Sequence, residues 1–293
     1  MAGTLKKGII LAGGRGSRLY PATGAVSKQL LTVYDKPMIY YPLGLLMELG
    51  LEDILLITNK NEIERFQKML GDGSRLGISL KYASEETPRG IANAFLIAEK
   101  FIGNSNVALI LGDNIYCVSE EIKSAAGQFV SGGMVFGVNV SDPSEYGVAE
   151  VDRYGQVLSI EEKPSYPKSN LAVTGLYLYD SSVVEIARQL KPSIRGELEI
   201  TDVNKTYLKQ RNLQLVTLGD CSIWFDAGTA QSMLNASNYI SAVESSSGRK
   251  IGCIEHIAFS QGFITAAQLK SLVDEMPNTE YKAYLESLLP AAE

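Results

Sequence analysis

Histidine is almost absent from the 293-residue chain: His256 stands alone, which excludes a histidine-rich metal site and leaves it a surface or packing residue. Cysteine is scarce too. Cys117, Cys221 and Cys253 lie far apart and give neither a CxxC pair nor zinc-ligand spacing, so they read as reduced thiols of a cytoplasmic protein. Positive charge is in deficit, with 27 Lys and Arg against 33 Asp and Glu. The net charge of −6 and a pI near 5.1 offer no basic field for nucleic acid or an anionic membrane, so any anion site must be local. No apolar run approaches the roughly 18 residues of a membrane span. Near the N-terminus only residues 8–12 form an apolar core, too short for a secretory signal. Internal repeats and low-complexity linkers are missing as well, which suits one compact unit with a large core.

Glycine and phosphate-matching cations are present, and they are concentrated. Residues 8–31 read GIILAGGRGSRLYPATGAVSKQLL. The run 8–12 has the character of a strand buried on both faces of a parallel sheet. It enters Gly13-Gly14-Arg15-Gly16-Ser17-Arg18, where glycines permit a tight turn and close approach of a ligand. Amides bared by such a turn suit an anion. Arg18 and Lys28 follow within reach. The alternative, a plain glycine turn with solvated basic residues, stays open on this pattern alone. Two known loops are excluded: no lysine follows Gly16 as a Walker loop requires, and Leu19 stands where a dinucleotide fingerprint needs its third glycine.

Apolar runs at 7–11, 53–58, 78–84 and 106–111 alternate with helical patterns at 38–49, 61–70 and 90–101. This alternation predicts an α/β fold with a doubly wound, mostly parallel central sheet. Ligands of such sheets sit beyond the carboxyl ends of the strands, where both the glycine loop and Asp113 fall. Short strands at 134–140, 147–152, 156–160 and 173–179 predict a small antiparallel insertion beside the main sheet. A helix over 182–190, another starting near Thr201, and returning strands at 213–218 and 223–225 complete the pattern. The Ser245-Ser246-Ser247-Gly248 break sets the expected boundary, with a main domain over 1–243 and a helical section over 244–293 packed on it.

Asp113 ends one buried strand and Asp226 another, each next to a glycine turn. Asp113 fits a helix cap as well as a ligand. Two carboxylates facing a phosphate loop suit Mg²⁺, a hard cation completed by substrate phosphates. Composition alone favours a solvated turn for the Glu161-Glu162-Lys163-Pro164 stretch. Thr201 with Asp202 reads mainly as a helix start.

The segment 11–28 resembles the sugar-1-phosphate nucleotidylyltransferase signature LAGG-x-G-(T/S)-R-L-x-P-x-T…K, and residues 30–43 resemble the glucose-1-phosphate thymidylyltransferase branch. The resemblance spans essentially the whole chain. It implies a Rossmann-like nucleotidyltransferase fold, dTTP and glucose 1-phosphate as substrates, Mg²⁺ on Asp113 and Asp226, and a homotetramer carrying a regulatory nucleotide-sugar site. It further implies that the main domain is catalytic, with its sugar-binding part at about 134–220, and that Arg18, Lys28, Asp113 and Asp226 have catalytic roles. Nucleotide contacts fall on Leu11, Gly13, Gly14, Gly16, Ser17, Gln29, Glu85, Pro88, Gly90 and Asp113. The sugar phosphate falls to Tyr146, Gly147, Glu162, Lys163, Val173, Tyr177 and Arg195, the last through a guanidinium fork that matches phosphate oxygens. A uridylyltransferase, or a silent paralogue that binds nucleotide sugars, are the alternatives. Three departures stand out. Glu85 replaces a usual glutamine, Cys117-Val118 replaces Tyr-Gly, and Ala227-Gly228-Thr229-Ala230 replaces Thr-Gly-Thr-His. At Glu85 a carboxylate keeps only the acceptor half of a glutamine. The bland reading turns Glu85 to Arg89 and leaves the base to backbone groups near Gly90.

Overall fold

Ile9 and Ile10 adjoin on the first strand, Leu5–Ala12, yet belong to different cores: Ile9 with Leu55 and Leu109, Ile10 with Leu56 and Ile110. Successive side chains of a strand point to opposite faces. A strand apolar at every position therefore needs cover on both sides, the condition of a parallel α/β sheet. The computed structural model describes residues 5–14, 16–117, 120–219 and 222–290; Arg15, Val118 and Cys221 lie outside the described residues.

Leu5–Ala12 is central, parallel to Asp53–Thr58 on one side and Asn106–Leu111 on the other, with Ser79–Ser84 extending the parallel block. These are the strands expected from the apolar runs. Beyond Asn106–Leu111 the sheet turns antiparallel through Leu171–Tyr179, Gly147–Val151 and Val157–Glu162. Gly133–Asn139 also pairs with Leu171–Tyr179, and Leu213–Thr217 runs parallel to it. The antiparallel strands thus continue the main sheet instead of standing beside it. The reason lies in Leu171–Tyr179, buried at every position, which needs partners along both edges.

Tyr40–Glu48, Ile63–Leu70 and the C-terminal helices cover one face; Asn93–Ile97, Val183–Gln189 and Ile200–Lys209 cover the other. The single helix expected over 90–101 is two short ones, Asn93–Ile97 and Glu99–Ile102. Gly90 is excluded from it by a left-handed φ of 98°. That conformation lets the loop dock where a Cβ would stand 2.4 Å from the Leu198 carbonyl oxygen.

The boundary expected at 243/244 falls inside a helix. Ala230–Ser247 runs through all three serines and stops at Gly248, whose φ of 66° makes a left-handed cap. Ile254, Ile257, Leu269 and Leu272 then enter the same core as Ile10. Four charges join this section to the rest. Buried Lys36 pairs with Asp35 and Glu244, and Lys250 meets the same two carboxylates at 2.5 and 3.0 Å. No helix among the described residues is long and apolar enough to cross a membrane.

Candidate active site

Gly16 turns the loop after the first strand at a φ of 60°, and a Cβ there would lie 2.9 Å from Thr23. Only glycine combines that backbone with that contact. The Thr23 hydroxyl donates to the Gly16 carbonyl at 2.9 Å and ties the turn shut. Lys28 passes beneath, its Cε 3.8 Å from where a Cβ on Gly14 would stand, and its ammonium bonds the Asp113 carboxylate. Arg18 lies on the side of the second carboxylate: its Nη2 and the Asp226 Oδ1 stand 2.9 and 3.0 Å from where a Cβ on Gly228 would be, and its charge acts on Asp226. The two cations of the opening motif thus lie by the two aspartates, Lys28 bonded to Asp113 and Arg18 near Asp226.

Ile223–Asp226 pairs antiparallel with Asn114–Cys117, and Asp226 stands opposite Asn114. Burial, and after it the charge of Asp113, raise the Asp226 pKa, while Lys28 and Arg18 pull it down. Asn114, 3% exposed, locks the ribbon. Its amide donates to Asp113 at 3.1 Å, and its oxygen accepts from the Gly175 amide at 3.0 Å and the Trp224 indole at 2.6 Å. A Cβ on Gly175 would stand 2.6 Å from that oxygen, so Gly175 has to be glycine.

Beside the aspartates opens a cavity of about 250 Å³. Its wall comes from strand register: Gly147 is paired with Glu162 on one side and with Val173 on the other, which sets the three side by side. Glu162 accepts from Arg195 at 3.1 Å and from the Thr201 hydroxyl. Arg195 is also held by Glu199 at 2.8 Å. Lys163 is left-handed, with φ of 42°, and is kept so by its amide donating to Tyr146 at 2.9 Å. Its ammonium lies 3.8 Å from Glu145. Tyr146 packs edge-on against Trp224, and Tyr177 is buried in the wall; burial raises both phenol pKa values and keeps the rings neutral.

Leu11, the last residue but one of the first strand, accepts from the Gly112 amide at 2.9 Å. Gly13 is buried beneath Glu85, while Ser17 and Pro88 are exposed. Gln29 is 1% exposed, accepts from the Ser27 hydroxyl and packs under Gly112, so it forms floor beneath the loop. Glu85 accepts from the Asn93 amide at 2.9 Å, and what it meets at Arg89 is the backbone amide, at 3.4 Å.

Asn114, Trp224, Thr201 and Asn93 are the residues that sequence reasoning missed. Trp224 carried a usable signal, since it stands two residues before Asp226 and strand neighbours two apart share a face. Thr201 does open a helix, with Glu199 as cap, but its hydroxyl points at Glu162. His256 packs on Tyr284, its Nδ1 2.7 Å from the phenol oxygen. Cys117 and Cys253 are buried and unpaired, and burial pushes both thiols up to about 12, too high for nucleophiles. No cluster of three or more metal-ligating side chains occurs among the described residues. Two carboxylates brought to neighbouring positions by the ribbon nevertheless fit a divalent cation, whose other oxygens come from substrate and water.

A family model described as nucleotidyl transferase matches residues 7–243. A glucose-1-phosphate thymidylyltransferase of Actinoplanes sp. is 50% identical over 289 residues, covering 96% of this chain and 93% of the relative. Another, from Neisseria gonorrhoeae, is 50% identical over 286 residues, covering 97% and 99%. A solved structure from Bacillus anthracis, in complex with a sucrose, superposes with a TM-score of 0.74 at 42% identity, over 80% of this chain and 94% of that one. The chain belongs to the nucleotidyl transferase family. Within that family it groups with the glucose-1-phosphate thymidylyltransferases. Enzymes of this kind generally work with a divalent metal.

Proposed function

We propose that the protein transfers the thymidylyl group of dTTP to glucose 1-phosphate, giving dTDP-glucose and pyrophosphate. The observation that carries this reading is the pairing of Lys28 with Asp113, with Arg18 near Asp226, beside a cavity walled by Gly147, Glu162 and Tyr177. A phosphate oxygen of glucose 1-phosphate attacks the α-phosphorus of dTTP. The bond to the bridging oxygen breaks in line, and pyrophosphate leaves with that electron pair. The protein does little covalent work, so positioning and charge neutralisation supply the rate.

Lys28 and Arg18 offset charge that develops on the α-phosphate and the leaving group. Lys163 and Arg195 hold the attacking phosphate. Glu162 accepts from sugar hydroxyls, and Gly147 lets the hexose approach the backbone. Asp113 and Asp226 would hold Mg²⁺, which when bound would neutralise charge on the nucleotide phosphates. The catalytic unit spans 1–243, with 244–293 packed on it, and works as a cytoplasmic homotetramer.

Pyrophosphate release, measured across four nucleoside triphosphates and several sugar 1-phosphates, tests the reading. The fastest release is expected from dTTP with glucose 1-phosphate. A faster rate with another base or sugar, or none with any pair, would overturn it.

A further inference from the structure

Glu85 follows the strand Ser79–Ser84, and its amide donates to the Thr58 carbonyl at 2.8 Å. Its side chain is held between two neighbours. Oε1 accepts from Asn93 Nδ2 at 2.9 Å. Oε2 turns toward the glycine loop, 3.1 Å from where a Cβ on Gly13 would stand. Only 5% of Glu85 is exposed, so this orientation is set inside the protein. A carboxylate accepts and never donates, hence the group of Asn93 that meets it is the NH2. That NH2 has two hydrogens. One lies on Oε1, and no described residue takes the second. Asn93 is held in place by its loop: Leu198 donates to the Arg89 carbonyl at 2.7 Å, and Ala92 donates to Leu198 at 3.2 Å.

We infer that Glu85 and Asn93 act together as the base-reading edge of the nucleotide site. Oε2 of Glu85 accepts the N3–H of a pyrimidine-2,4-dione, and the second amide hydrogen of Asn93 donates to the adjacent ring carbonyl. The inference rests on the nucleotide site proposed above. Glutamine would carry this acceptor and donor in one side chain. Here they are divided between two residues, and the acceptor-against-acceptor clash expected for a lone carboxylate does not arise. The pair also makes a selection that a lone carboxylate would not. Guanine presents two adjacent donors, which would match both oxygens of a free carboxylate. With Oε1 engaged, the second guanine donor meets the donor of Asn93. Cytosine fails at the other end, because its N3 is an acceptor facing Oε2.

Two substitutions and their combination test the pair, with steady-state kinetics on dTTP and UTP and with melting curves to report folding. Asn93→Leu should lower kcat/KM for dTTP and UTP alike by about tenfold or more, mainly through KM, with KM for glucose 1-phosphate unchanged. Asn93→Ala should behave the same way, and serves if the leucine variant does not fold. Glu85→Gln should bring no gain while Asn93 is present. In the Asn93→Leu or Asn93→Ala background it should recover most of the loss. A residue with only a structural role would not give that rescue. Asn93 variants within twofold of wild type, or Glu85→Gln acting equally in both backgrounds, would sink the pair alone. A wild type that does not turn over dTTP would sink the proposed function and the pair with it.

Discussion

Asp226 stands opposite Asn114 across the antiparallel ribbon, and because Asn114 directly follows Asp113, the register of that ribbon sets the two carboxylates side by side. Their order within the chain says nothing of this. Asp226 ends a strand and Asp113 sits in the two-residue turn between Asn106–Leu111 and Asn114–Cys117, and the hydrogen bonds of Asn114 to Asp113, Gly175 and Trp224 keep the two aligned.

If the pair holds one divalent ion, Asp113→Asn and Asp226→Asn should each slow turnover by about a hundredfold or more, the scale of losing one preorganised electrostatic contact. The fold should survive, since asparagine keeps the shape. Turnover measured at saturating Mg²⁺ decides the matter, and a near-normal rate in either variant would remove the assignment.

Stability should move the other way. Burial and the Asp113 charge raise the Asp226 pKa, so the fold binds this proton more tightly than the unfolded chain does. The stabilisation this gives is full below the ordinary carboxylate pKa and disappears as pH rises through the raised value. At neutral pH the ionised group therefore opposes folding. Without metal, Asp226→Asn should melt above wild type, where a gain of about 1 kcal/mol corresponds to roughly 2–4 °C. The gap should narrow as pH falls toward the carboxylate range. Added Mg²⁺ should raise the wild-type melting temperature and leave the variant's unchanged. Melting curves in chelator between pH 5 and 8, with wild type the more stable throughout, would contradict this.

Lys163 and Arg18 serve different substrates in the proposed mechanism. Lys163→Ala should weaken glucose 1-phosphate binding by roughly 1.5–3 kcal/mol, the worth of a hydrogen bond to a charged group, with dTTP binding barely changed. Calorimetry giving the reverse pattern would mean the two clamps are exchanged.

The charge cluster under the C-terminal section gives a structural prediction. Lys36→Met leaves Asp35 and buried Glu244 with Lys250 as their one remaining cation in that cluster. Breaking a buried pair from one side costs about 3–5 kcal/mol. Urea unfolding should report a loss of that order, and a loss below about 1 kcal/mol would mark the cluster as dispensable.

Assembly offers the last prediction. Closed symmetric oligomers are the common outcome for soluble enzymes, and a homotetramer is expected in light scattering at assay concentration. A monomer there would refute it.

The glycine loop, the parallel strands behind it and the end-of-strand position of Asp113 were all legible in the sequence. Their information is local: an apolar run buried on both faces, a turn that only glycine can make, a carboxylate where a strand stops. The resemblance extended this to the proposed sugar site, because Gly147, Glu162 and Val173 each sit within a short motif. Tertiary structure alone decided what those residues meet. That Thr201 faces Glu162, that Asn114 receives Trp224 and that Asn93 takes one oxygen of Glu85 follow from strand register and from a loop docked on Leu198. The middle strands join the main sheet for the same kind of reason. Nothing in their alternation names a partner, and the partner is chosen by which buried edge is left to be paired.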